Sequence, residues 1–71
     1  MNSVLKRIVS DFSQLSIKDR HRKIELHGTP REFVECIYFY TVDRFANPVK
    51  EAEINAAIRE IETLMDLGRL L

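Results

Sequence analysis

Glycine is nearly absent from this chain. Only Gly28 and Gly68 occur among 71 residues, which leaves no glycine-rich loop to cradle a phosphate. Cysteine occurs once, at Cys36, so no disulfide forms within the chain, as suits a reducing compartment. Together with His21 and His27 that makes one thiol and two imidazoles, too few for a structural zinc site in one chain. No metal or cofactor is expected. Long apolar runs are missing as well. The longest hydrophobic run free of charge, Cys36 to Val42, is far too short to span a bilayer. The opening residues MNSVLKRIVSDF carry Lys6, Arg7 and Asp11 and do not read as a secretory signal. The expectation is a soluble, cytoplasmic protein. Net charge is lacking too: eleven cationic side chains meet eleven anionic ones.

That balance is uneven along the chain. Residues 1–30 hold six Lys or Arg against three Asp or Glu, and residues 31–71 hold five against eight. The result is +3 in the first part and −3 in the second, a split that steers self-association or an acidic partner toward one face. The length allows a single domain, residues 1–71. A chain so short buries only about 60% of the surface its unfolded form exposes, so a staple or a partner subunit is the usual supplement.

The most regular stretch is Asn47 to Gly68. Asn47 suits an N-cap and Pro48 the first helical position, while Gly68 suits a left-handed close. Between them Ile54, Ile58, Ile61 and Met65 form one stripe, widened by Ala57 and Leu64. The expected helix covers about 48–67. Leu5, Ile8, Phe12 and Leu15 define a second stripe and a helix over about 3–15, capped by Asn2 or Ser3. Lys6 and Arg7 would let that helix lie on a membrane surface, but Asp11 argues instead for packing onto the long helix. Thr29, Pro30 and Glu32 make a helix start of the capping-box type. The stretch after them is rich in strand-forming residues, yet neither alternate set is polar, so a helix over about 30–45 is preferred. Between the first two helices, RKIELH alternates polar and apolar and reads as a short extended segment near 22–27. The fold class is therefore mainly α, with three helices and one extended segment, as a compact bundle or a winged-helix-like domain.

The 30–45 helix is apolar over more than one face. Phe33, Ile37 and Tyr40 share a stripe, Val34 and Tyr38 adjoin it, and Phe39 falls among Glu32, Glu35 and Asp43. More than the usual 100° of apolar surface calls for extra cover, and Tyr38 and Tyr40 suit a contact that stays partly wet. The candidate interface is thus Phe33, Ile37, Tyr38, Phe39 and Tyr40, and a homodimer is expected. A second candidate set is the basic cluster Lys18, Arg20, Arg22 and Lys23, placed to meet an acidic partner or a nucleic acid. Catalysis finds no support: Cys36 with His27 could pair as nucleophile and base, but a small buried core thiol explains Cys36. Glu32 and Glu35 read as solvated helix carboxylates. No catalytic residue is assigned.

The order helix, extended arm, helix, turn, helix, followed by Arg69-Leu70-Leu71, resembles a winged-helix domain up to its wing. The ending LMDLGRLL is similar to the exit of that family's recognition helix. The resemblance implies nucleic-acid binding through the long C-terminal helix. That helix carries Glu51, Glu53, Glu60, Glu62 and Asp66, the wrong sign for phosphate. The leading expectation is a non-enzymatic regulatory or adaptor protein that acts through protein–protein contact. Nucleic-acid binding through Lys18–Lys23 is the alternative.

Overall fold

Two side-chain caps and one glycine set the path of the first forty residues. The computed structural model describes residues 3–41 and 51–70, with the side chains of 41 and 67–70 left aside. Among the described residues there are four helices: α1 Ser3–Ser13, α2 Ile17–His27, α3 Pro30–Thr41 and α4 Glu51–Leu70. No strand occurs among the described residues.

α1 ends two residues earlier than the stripe suggested. The Ser13 hydroxyl donates to the Ser10 carbonyl (2.7 Å), and the Leu15 amide bonds back to Phe12 O (3.2 Å), which tightens the last turn. Ser16 then takes an extended conformation (φ −63°, ψ 159°) and its hydroxyl accepts from the Asp19 amide. This is an N-cap, with Asp19 well placed against the positive helix end. The expected extended segment near 22–27 is therefore corrected: those residues are the second half of α2. The polar-apolar alternation there is too short to compete with a capped helix.

Gly28 closes α2 at φ +105°, its amide bonded to Ile24 O at 2.7 Å. A side chain in that conformation is strained, and a Cβ would also run into the Glu32 carboxylate. Thr29 caps α3 as expected, accepting from the Glu32 amide at 3.1 Å. The 30–41 stretch is helical, which settles the choice against a strand; positions 42–45 lie outside the described residues. So do Asn47 and Pro48. α4 runs through Gly68 to Leu70, so Gly68 is an interior helical residue and not the expected left-handed cap.

The core joins Leu5, Ile8 and Phe12 of α1 to Ile54, Ala57, Ile58 and Ile61 of α4, with Phe33, Val34 and Tyr38 from α3. Both predicted stripes face inward, as their spacing required. α2 contributes only Ile24 to the buried set. Arg31 adds a polar cross-link at the surface, reaching Glu35 (3.0 Å), Glu51 (3.3 Å) and Asn55 Oδ1 (2.8 Å). Those bonds, Glu35's first and then Glu51's, raise its pKa from the ordinary arginine value. No helix of the described residues is long and apolar enough to cross a membrane.

Candidate partner-binding cleft

The aromatic set read from the sequence divides. Phe33 and Tyr38 are buried at 4% and 2% exposure, so they belong to the core. Phe33 packs between Phe12 (centroids 5.3 Å apart) and the edge of His27 (5.3 Å). Ile37 is half-buried against the core. Phe39 is 45% exposed, edge-on to Tyr38, and Tyr40 is 90% exposed. Cys36, expected in the core, is exposed instead. His27 is oriented by its own helix: Nδ1 lies 3.0 Å from Lys23 O, and since a carbonyl only accepts, that nitrogen carries the proton.

The basic cluster divides as well. Arg20 turns inward across the end of α1. Its Nε donates to Phe12 O (3.3 Å), one terminal nitrogen to Ser13 O (2.6 Å) and the other to Leu64 O of α4 (3.2 Å). The first two carbonyls stand at a helix C-terminus, where backbone acceptors have no partner within the helix and a cation is favoured; Phe12 O also accepts the Leu15 amide. Arg20 is a clamp between α1, α2 and α4. Lys18, Arg22 and Lys23 remain exposed on α2.

A cleft of about 390 Å³ opens between α1, α2 and α3. Its apolar wall is Val4, Ile8, Phe12 and Leu15 on one side and Phe33 and Ile37 on the other, and its rim is Arg7, Asp11 and Lys23. One member of the basic cluster, Lys23, and two of the apolar set, Phe33 and Ile37, meet here. Leu26, Phe39 and Tyr40 lie outside its lining. Arg7 and Asp11 stand 4.0 Å apart, 85% and 71% exposed, a spacing at which solvent screens most of the attraction. Lys23 has no anionic partner among the described residues. The rim therefore carries two cations and one anion.

Sequence reasoning missed Arg7 and Asp11 as rim residues. Their spacing of four puts them on one side of α1 beside the apolar stripe, and that signal was available. No cluster of three His, Cys, Asp or Glu side chains placed to hold a metal occurs among the described residues. No family model matches the chain, and no curated protein or solved structure does so either.

Proposed function

We propose that the protein is a small, non-enzymatic regulatory or adaptor module that works by binding another protein. The observation that carries this reading is the cleft, where an apolar wall and a cation with no anionic partner among the described residues, from separate stretches of the sequence, share one surface. Buried apolar area with a charged rim is the general make-up of a protein-binding surface. Self-association into a homodimer would use the exposed remainder of the aromatic set, Phe39 and Tyr40.

The alternative, nucleic-acid binding, draws on Lys18, Arg22 and Lys23. Among the described residues the solvent side of α4 shows Glu51, Glu60, Glu62 and Asp66 against Arg59, and in a protein of this size that field acts on any phosphate backbone brought near. Fluorescence anisotropy with duplex DNA at two salt concentrations separates the readings. Three phosphate contacts would give a log–log salt slope of about −2.7, and submicromolar binding with that slope would refute the protein-binding assignment. The expected result is negligible binding at physiological salt. Sedimentation at micromolar concentration tests the dimer: a mass near 8.3 kDa refutes it, and a doubled mass that Phe39→Glu halves without unfolding supports it.

A further inference from the structure

We propose that α2 is a latched strap: it unwinds as a unit while α1, α3 and α4 stay packed, and the Arg20 guanidinium is its latch. The device is built into the fold and is independent of what the protein binds.

Burial separates α2 from its neighbours. Among the described residues, every buried side chain except Ile24 belongs to α1, α3 or α4. Loss of α2 therefore leaves the rest of the core with its own members still together. Nor can α2 persist by itself. Its eleven residues fall short of the about 12–15 at which an isolated helix is even marginal in water. Ile17, Asp19, His21 and Ile24 are weak helix formers as well. α1 is as short, but it buries Leu5, Ile8 and Phe12 where α2 buries Ile24 alone.

What holds α2 in place is mostly polar. Arg20 donates to Phe12 O, Ser13 O and Leu64 O, so one side chain ties the strap both to the end of α1 and to α4. His27 adds an edge-on contact with Phe33 at 5.3 Å, and Ile24 is the single apolar peg.

The connections decide the kind of motion. α2 joins α1 through residues 14–16 and α3 through Gly28 and Thr29. Held so closely at both ends, a rigid α2 has no room to swing off its neighbours. Unwound, residues 14–29 make a loop of sixteen that covers the helix's own length of about 16 Å with slack to spare. The entropic cost of closing such a loop grows only slowly with its length. Opening is thus local unfolding. It takes Lys23 away from the cleft rim and bares the edge of Phe33 that meets His27.

Native-state hydrogen exchange by NMR tests this on the full chain, at low urea and where exchange follows the opening equilibrium. The α2 amides should share one opening free energy below that of the α1 and α4 core amides, with a smaller but non-zero urea dependence. Two substitutions then separate strap from core. Ile54 lies ten residues before Leu64 on α4, about 15 Å along the axis, and its packing survives when α2 opens. Ile54→Val should speed exchange of the core amides about fivefold and leave the α2 amides unchanged. Arg20→Ala should speed both sets about 30-fold, because its bonds are absent in the α2-open and the unfolded state alike. Arg20→Lys, a milder change that keeps one donor group, should show the same pattern at about tenfold. Equal acceleration of α2 and core amides by Ile54→Val means that the fold opens all at once, and overturns the proposal. Exchange of α2 with no urea dependence is single-bond fraying and overturns it too. Separate opening of α2 that neither Arg20 variant accelerates overturns the latch.

Discussion

Replacing Arg20 with alanine should destabilise the fold more than any other single change at an exposed or half-exposed cation. The guanidinium holds three carbonyls at once, Phe12 O, Ser13 O and Leu64 O. A hydrogen bond contributes about 0.5–1.5 kcal/mol net in a folded protein, so three at a half-buried site are worth about 2–3 kcal/mol. A domain of this length has only about 4–10 kcal/mol of stability altogether. The melting temperature should fall by roughly 10 °C or more, since each kcal/mol moves a small domain by about 4–8 °C. Lysine in the same place offers one compact donor group and cannot span three acceptors, so Arg20→Lys should regain about 1 kcal/mol of the loss.

The assay is a set of paired thermal and urea melts, with Arg22→Ala as the internal control. Arg22 is exposed two residues away on the same helix and should change stability by no more than about 0.5 kcal/mol. If Arg20→Ala and Arg22→Ala melt together within error, the clamp is not formed in solution. Arg20 would then be a free surface cation, open to a partner like its neighbours.

Three further outcomes follow from the caps and the turn. Ser16→Ala and Thr29→Ala should each cost about 1 kcal/mol in denaturant melts, because each hydroxyl accepts an otherwise unpartnered amide; no loss at Ser16 would favour an extended 22–27 segment after all. Gly28→Ala should cost about 1–3 kcal/mol from its positive φ, and adding Glu32→Ala should return only the part due to the carboxylate that lies over Gly28. Arg31 gives no pH dependence of its own near neutrality. Its pKa is raised in the folded state, so the stabilising effect is fully present below the unfolded arginine pKa and is lost only when pH rises through the higher folded one. A stability profile between about pH 6 and 9 should accordingly be unchanged by Arg31→Lys.

How far the sequence spoke for the structure depended on what the buried side of each helix is made of. α1 and α4 bury nearly pure aliphatic and aromatic stripes, Leu5, Ile8 and Phe12 in one and Ile54, Ala57, Ile58 and Ile61 in the other, and a 3.6-residue period in such residues is unambiguous. The Thr29-Pro30 start of α3 was equally plain, because capping chemistry is local. α2 was not legible in the same way. Its inward positions are Ile17, Arg20, His21, Ile24 and His27, of which only Ile24 is fully buried. The helical period is present there, but three of its five members are polar, and hydrophobicity cannot display it. The two apolar residues that stand out by alternation are Ile24, which is buried, and Leu26, which is 77% exposed. That contrast produced the expectation of an extended segment.

The same mixture decides where the candidate site lies. Arg20 sits on the inward side of α2 with Ile24, so it meets backbone carbonyls, whereas Lys23 sits at the edge of that side and reaches the cleft rim. A run of cations in the sequence reads as one patch only if it is not wound into a helix. Once it is wound, each step along the chain turns the side chain through about 100°, so adjacent Arg22 and Lys23 face different ways, and Arg20 and Lys23, three apart, still differ by about 60°. Phe33 and Tyr38 are lost to the aromatic set for a related reason: a helix apolar on several sides can turn two of them into its own chain's core before any partner arrives. What remains is a smaller surface than the sequence suggested, in which Ile37 and Lys23 lie on opposite helices of one cleft. Neither residue type nor spacing along the chain announces that pairing, because it arises only when α2 folds back onto α3 through the two-residue turn at Gly28 and Thr29.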